Sequence, residues 1–337
     1  MVLVTNARLT FNSIPDGHLK PGDLVHDTSN KIDPDTVPLN GGILLKLIVL
    51  SPDPFMRTLM NSDGEPPYDL GEPINGFAVA FVVRSEVSTI KPGTHIHTFL
   101  PYQNYVVFPN ADLLASLPNE AGIPWTAYVG AAGMPGQTAY MGWKEYAKAK
   151  KGDVAFMSGA AGPVGSFVVQ LAKRDGVKVI ASAGSDSKLK FLKELGADVV
   201  FNYKTTSLSE VLKKEGPIDI FWDNVGGETL DAALYAANLG ARFIECGMIG
   251  GYNTGNVGVK NLYHLVTKSI SMHGFIVTTL WPKYLEDFYK EVPKLIADGE
   301  IKHSEVVYKG FQGVEKALED MFNGVNAGKL VAVLGDD

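Results

Sequence analysis

The sequence predicts an α/β protein: a doubly wound parallel sheet joined to a second, β-rich domain. Three observations carry this. From Lys151 onward, short apolar runs alternate with amphipathic stretches, the pattern of strand and helix units around a parallel sheet. Before about residue 125, proline and glycine punctuate short β-prone runs, the texture of a compact all-β domain. The length of 337 residues, at roughly 150 per domain, gives about two domains.

In the β-rich part the breaks are Pro21-Gly22, Pro34, Pro38, Asn40-Gly41-Gly42, Pro52, Pro54, Pro66-Pro67 and Lys91-Pro92-Gly93, with strand-like runs at 43–50 and 77–83. In the second part, 154–157 reads as a strand. Residues 166–174 follow as a helix, with Phe167, Val168, Leu171 and Ala172 at helical spacing and Gly176 as its stop. Residues 177–181 form the next strand, and Leu189, Leu192 and Leu195 mark a helix ended by Gly196. A third strand at 199–201 precedes a helix opened by the capping pair Ser207 and Glu210. A fourth strand at 218–222, a helix at 228–239 and a fifth strand at 241–246 come next, then one more helix and strand within 261–277. A helix at 283–296 leads to a tail read as strand 306–308, helix 314–322 and strand 330–334. There is no internal repeat.

Composition excludes several classes. A hydrophobic content of 45% is that of a folded chain, and 30 Lys+Arg against 37 Asp+Glu leave a net charge of −7 with no basic cluster for a phosphate backbone, so no nucleic-acid partner is expected. One cysteine, Cys246, makes no intramolecular disulfide, which fits a reducing compartment. The apolar stretch 41–50 is broken by Lys46 and too short for a bilayer, and residues 1–6 lack the basic flank of a signal sequence. No membrane partner and a cytoplasmic location are the expectation.

The most informative motif is the turn Ser158-Gly159-Ala160-Ala161-Gly162-Pro163-Val164-Gly165, set directly between a strand and a helix. Glycines there let a backbone approach a pyrophosphate, and the amides and dipole of the helix start favour its charge, so Gly159, Gly162, Pro163, Val164 and Gly165 are candidate dinucleotide-binding residues of a Rossmann-type domain. The spacing is G-x-x-G-x-x-G rather than G-x-G-x-x-G. An NAD site places an acidic residue at the end of the second strand, but here that end reads Ala181-Ser182-Ala183-Gly184-Ser185. Small neutral residues leave room for a ribose phosphate, and Lys188 one turn into the next helix supplies a neutralising charge, which predicts NADPH as cofactor. Asp186 stands nearby with a local role as helix N-cap.

Several strings in one order give a resemblance over nearly the whole length: Asp53-Pro54-Phe55-Met56-Arg57, Gly133-Met134-Pro135-Gly136-Gln137-Thr138-Ala139-Tyr140, the glycine turn, Phe201-Asn202-Tyr203, Asp223-Asn224-Val225-Gly226-Gly227, Cys246-Gly247-Met248-Ile249, Gly274-Phe275-Ile276-Val277 and Asn326-Ala327-Gly328-Lys329. The chain resembles the zinc-free medium-chain dehydrogenase/reductases, and among them the NADP-dependent alkenal/one double-bond reductases that include prostaglandin reductases and leukotriene B4 12-hydroxydehydrogenases. The resemblance implies a β-rich GroES-like substrate domain at 1–123 and 302–337 around a Rossmann domain at 124–301, and a homodimer. It implies that Lys188 and Tyr203 contact the ribose phosphate, that Asn224 and Asn326 contact the ribose and its neighbours, and that Thr138 lies near the nicotinamide. Cys246, Phe275 and Val277 are likewise assigned to the cofactor, and Phe55, Arg57 and Tyr68 to the substrate pocket. Tyr252 is implied as the catalytic tyrosine beside the reacting carbonyl. Where many members have tyrosine, this chain has Phe55, which favours apolar substrates.

The zinc-dependent relatives carry a Gly-His-Glu segment and a four-cysteine lobe; here the segment reads Gly76-Phe77-Ala78 and one cysteine is present, so no metal is expected. His95 and His97, near a turn, read as surface histidines. The expected reaction is NADPH-dependent reduction of an α,β-unsaturated aldehyde or ketone, with hydride added to the β-carbon and the enolate stabilised by Tyr252 as hydrogen-bond donor. Cys246, beside Glu245, reads as an inert thiol whatever its place along the cofactor. Alternatives are a quinone reductase of the same superfamily, a crystallin-like cofactor-binding protein without turnover, and oxidation of a secondary alcohol.

Overall fold

The computed structural model describes residues 2–335 apart from 65, 110, 112, 113, 115, 256, 257 and 326. The chain divides into two compact units: Met1–Gly133 with Glu305–Asn326 and Leu330–Asp337, and Met134–Ser304 with Ala327–Lys329.

Unit 1 opens with strands β1 (Val4–Thr5), β2 (Arg8–Phe11), β3 (Leu24–Asp27) and β4 (Lys31–Ile32), paired β1 with β4 and β2 with β3. Strand β5 (Ile43–Leu50) is an almost unbroken apolar run, which suits a strand buried on both faces, and every residue but Lys46 is buried. The short helix α1 (Met56–Leu59) follows, then β6 (Asn75–Ser85), β7 (His95–Pro101) and β8 (Tyr105–Phe108). The 3-10 turn Trp125–Val129 packs on β5 and β6, and the Trp125 ring stacks on His95 at 3.8 Å, which draws the border expected at 123 on to Gly133.

Unit 2 runs α2 (Met134–Gly142), β9 (Val154–Met157), α3 (Pro163–Arg174), β10 (Lys178–Ala183), α4 (Asp186–Glu194), β11 (Val199–Asn202), α5 (Leu208–Glu215), β12 (Ile218–Asp223), α6 (Gly227–Ala236), β13 (Ala237–Glu245), α7 (His264–Thr267), β14 (Ser271–Gly274) and α8 (Trp281–Ala297). The six strands lie parallel in the order β11-β10-β9-β12-β13-β14. The chain therefore winds outward from β9 to one edge, returns to the centre and winds outward to the other. The carboxyl ends of β9 and β12 flank the point where the winding reverses, the place where doubly wound sheets bind ligands. Phe156, Ile180, Phe201, Phe221 and Phe243 form the core beneath it, with Phe156 and Phe221 stacked at 5.2 Å.

The chain then returns to unit 1 with β15 (Glu305–Lys309), α9 (Gly310–Phe322) and β16 (Lys329–Val333), giving a sheet ordered β15-β16-β5-β6-β7 with β8 on β5. Two local expectations are corrected. The helix expected to reach 239 ends at Ala236, because Ala237 is already extended and begins β13. The N-cap of α4 is Ser185, whose backbone is extended, and Asp186 is the first helical residue. Ser207 caps α5, its hydroxyl accepting the Glu210 N–H at 3.4 Å.

Candidate cofactor site and active-site residues

The glycine turn leaves β9 and enters α3 at the reversal point. Pro163 is the first helical residue, where its missing N–H is no loss, and the first amides of the helix have no acceptor within it. Gly159 holds a positive φ of 55° and a side chain there would press on Asn224 at 3.3 Å; one at Gly165 would meet the Ala160 backbone at 2.7 Å. Small residues are thus demanded by the approach of neighbouring loops as well as by any ligand.

Side chains fasten these loops. The buried Ser158 hydroxyl donates to Asp223 Oδ1 at 2.7 Å and accepts the Asn224 N–H at 2.8 Å. The Asn224 amide donates to Ser158 O at 2.7 Å, and Asp223 accepts the N–H groups of Val225 at 2.8 Å and Gly226 at 3.1 Å. Asp223 therefore ties the loop after β9 to the loop after β12. The Gly328 N–H donates to Ala161 O at 3.3 Å, bringing the 327–329 segment against the same turn; Asn326 lies outside the described residues.

At the ends of β10 and β11 the chemistry is basic and open. A Cβ on Gly184 would stand 2.9 Å from the Tyr203 hydroxyl and 3.1 Å from Lys204 Cε, so the phenol and this lysine lean over the glycine. Lys188 stands one turn into α4, its ammonium pushed below its ordinary value by burial and by the charge of Lys204. Two like charges held this close gain from an anion between them, and Tyr203, 55% exposed, offers a hydroxyl and a ring face to such a group. Lys204 was not singled out in the sequence, although its place beside Tyr203 was a usable signal.

At the ends of β12 and β13 the chemistry is acidic and closed. Asp223 and Glu245 are partners in register on the two strands. Burial pushes the Asp223 carboxyl up, against the hydrogen bonds it accepts, and burial with the charge of Asp223 pushes Glu245 up to about 8. The next residue, Cys246, has a thiol pushed up to about 12 by burial and by these two acids, consistent with an inert thiol. Beyond it the chain doubles back so that the Tyr252 hydroxyl accepts the Met248 N–H at 3.2 Å and lies over Gly247. Burial raises the Tyr252 phenol above its ordinary value, so it stays protonated.

The other anticipated residues are placed as follows. Thr138, nearly buried on α2, donates its hydroxyl to Met134 O at 2.8 Å. The Phe275 ring sits edge-on to Trp222 at 6.0 Å, and Val277 opens the next 3-10 turn. In unit 1 the Arg57 guanidinium donates to Pro15 O at 3.1 Å, to Gly17 O at 2.9 Å and to Asn61 Oδ1 at 2.6 Å, bracing a loop of its own unit. The buried Tyr68 hydroxyl donates to Asn75 O. Phe55 belongs to a ring cluster, 6.3 Å from both Phe77 and Phe99. The expectation of surface histidines fails for His97, which stacks on Phe77 at 5.5 Å and whose imidazole is pushed down to about 4 because burial disfavours its cation.

This sheet order and glycine turn define a dinucleotide-binding, doubly wound fold. Comparison with known proteins agrees. Residues 163–297 match the family described as zinc-binding dehydrogenase, and residues 8–115 match the N-terminal domain of oxidoreductase. A zinc-type alcohol dehydrogenase-like protein of Schizosaccharomyces pombe is 40% identical over 304 residues, 88% of this chain and 87% of that protein. The NADP(+)-dependent 2-alkenal reductase of Nicotiana tabacum is 36% identical over 344 residues, 98% of each. The crystal structure of CurA from Vibrio vulnificus in complex with NADPH matches with a TM-score of 0.89 at 29% identity, over 98% of this chain and 100% of that one. The chain belongs to the medium-chain dehydrogenase/reductases, in their family of NADP-dependent alkenal/enone double-bond reductases.

Proposed function

We propose that the protein uses NADPH to reduce the carbon–carbon double bond of α,β-unsaturated aldehydes and ketones without a metal ion. NADPH, when bound, would supply a hydride for the β-carbon; the charge that develops on the carbonyl oxygen needs a hydrogen-bond donor, and solvent would supply the proton for the α-carbon. The observation that carries the reading is the Tyr252 hydroxyl, whose oxygen accepts the Met248 N–H. With that lone pair engaged, its proton is left to donate outward, and the accepted bond polarises the O–H toward donation. The raised pKa keeps Tyr252 a hydrogen-bond donor rather than a phenolate.

The cofactor's 2′-phosphate is assigned to Lys188, Tyr203 and Lys204, and its pyrophosphate to the start of α3. Phe55 is read as favouring apolar substrates, since its ring, packed with Phe77 and Phe99, brings no polar atom. The metal-free reading is supported by the donor set. Among the described residues no three His, Cys, Asp or Glu side chains stand together as a metal site, and the chain has a single cysteine.

The test is NADPH oxidation over a panel of alkenals, enones and quinones, with the product of each identified. Saturated aldehydes or ketones from the first two classes are expected. Turnover of quinones alone would replace this reading with a quinone reductase, and cofactor binding without turnover of any activated alkene would replace it with a binding protein.

A further inference from the structure

The acid pair at the ends of β12 and β13 has no part in the reaction as written above. Asp223 and Glu245 are the last residues of adjacent parallel strands, opposite each other in register. Their circumstances differ. Asp223 receives hydrogen bonds from one hydroxyl and two backbone amides, whereas both Glu245 oxygens are shielded from solvent and the group that faces them is the Asp223 carboxyl, to which a protonated Glu245 donates. An ionised carboxyl in the second position is shut off from bulk solvent, and it faces a like charge across the strands. A neutral carboxylic acid meets neither difficulty.

Among the described residues in register with Glu245 on β12 and β14, none is a cation. From β12 the facing group is Asp223, and from β14 the residue in register is Gly274, which has no side chain. On its own strand the neighbour is the Cys246 thiol, itself kept neutral, and beyond it stands the Tyr252 phenol. The turn Trp143–Ala147 also packs on β13, but Lys144 pairs with Tyr140 and Glu291, Glu145 with Lys283 and Tyr284, and Tyr146 stacks on His273. Arg242, lower on β13, pairs with Asp153 at 2.7 Å.

We propose that Glu245 is a positioning residue for the cofactor: as a neutral acid it leaves Asp223 the one negative charge of the pair, so that Asp223 keeps the loops after β9 and β12 fastened, and its ionisation undoes that arrangement and weakens NADPH binding. The effect travels through Asp223 and its donors Ser158, Val225 and Gly226, which form the loops at the reversal point. It concerns cofactor binding and is independent of which alkene is reduced.

The sign follows from linkage. A bound polyanion makes ionisation of Glu245 harder still, so its pKa is higher in the complex than in the free protein, where it is about 8. Affinity is complete below the free value and declines as pH rises through it.

The test is the NADPH dissociation constant, read by fluorescence of the bound cofactor with no substrate present, from about pH 6 to about pH 9.5. The wild type should lose affinity by about tenfold across the upper part of this range, equivalent to one proton coupled over about one pH unit. Glu245→Gln, which is permanently uncharged, should lose that dependence, while any pH drift of other origin remains in both proteins. A second measurement needs no variant: calorimetry of NADPH binding in two buffers of different ionisation enthalpy near pH 8 should show net proton uptake, the cofactor's own phosphate being already ionised there at a pKa of about 6. A flat wild-type profile, an equal slope in Glu245→Gln, or binding without proton uptake overturns the proposal.

Discussion

The two ends of the cofactor sheet in unit 2 handle charge in opposite ways. Where β10 and β11 end, the half-buried Lys188 and the exposed Lys204 stand about an exposed Tyr203. Where β12 and β13 end, Asp223 and Glu245 are enclosed, and only hydrogen bonds and proton sharing moderate their repulsion. An open basic end can bind an anion by charge with little demand on geometry. The closed acidic end keeps a single charge, held by hydrogen bonds at Asp223, and so fastens the Asn224 loop, with Tyr252 a few residues beyond β13.

If that division of labour is right, substitutions at the two ends should fail differently. The largest effect is expected from Tyr252→Phe, which removes one donor and keeps the ring: kcat should fall about ten- to a thousandfold on an enone, with the NADPH dissociation constant nearly unchanged. Equal kcat for mutant and wild type across several enones would move the donor role elsewhere. Next comes the double substitution Lys188→Ala with Lys204→Ala. At about 1.5 kcal/mol for each partly solvated charge-assisted contact, selectivity for NADPH over NADH should drop roughly a hundredfold, and Lys188→Ala alone should take about tenfold of it. A matching loss with NADH would show that these lysines do not read the phosphate.

Ser158→Ala should change stability rather than charge recognition. Removing a buried hydroxyl that donates to Asp223 should cost about 1.5 to 3 kcal/mol, seen as a lower urea midpoint at unchanged m, while neither lysine substitution should move the midpoint by more than about 0.5 kcal/mol. An unaltered midpoint for Ser158→Ala would mean that the closed end is held by other contacts. The smallest effect is expected in unit 1, where Phe55→Tyr adds a hydroxyl to an apolar ring cluster and should lower KM for polar relative to apolar enones by about two- to fivefold, below 1 kcal/mol.

What the sequence made legible follows the same line. The glycine turn and the ends of β9 and β10 were readable because each depends on neighbours a few residues away, and helix starts and small-residue turns leave local marks. The facing of Asp223 and Glu245 was not, because it is set by the register of two strands joined through α6, and nothing local to Glu245 announces it. The bracing contacts of Arg57 were hidden for the same reason, since its acceptors at Pro15 and Gly17 lie 42 and 40 residues earlier. His97 looked like a surface residue because its covering ring, Phe77, comes from the adjacent strand β6. Lys204 is the exception, a residue whose position beside Tyr203 was in plain view.

The Ser158 hydroxyl, which joins two loops by bonds made within the protein alone, also bears on how quickly the cofactor is captured. A loop that must order itself on a ligand charges that lost freedom against binding and slows the approach to the final complex. Here the turn proposed to receive the pyrophosphate is already tied to its neighbour. Association should therefore proceed in one kinetic phase, with a rate set by encounter and tuned by ionic strength at the lysine end, and differences in affinity among cofactors should appear almost wholly in how long each one stays.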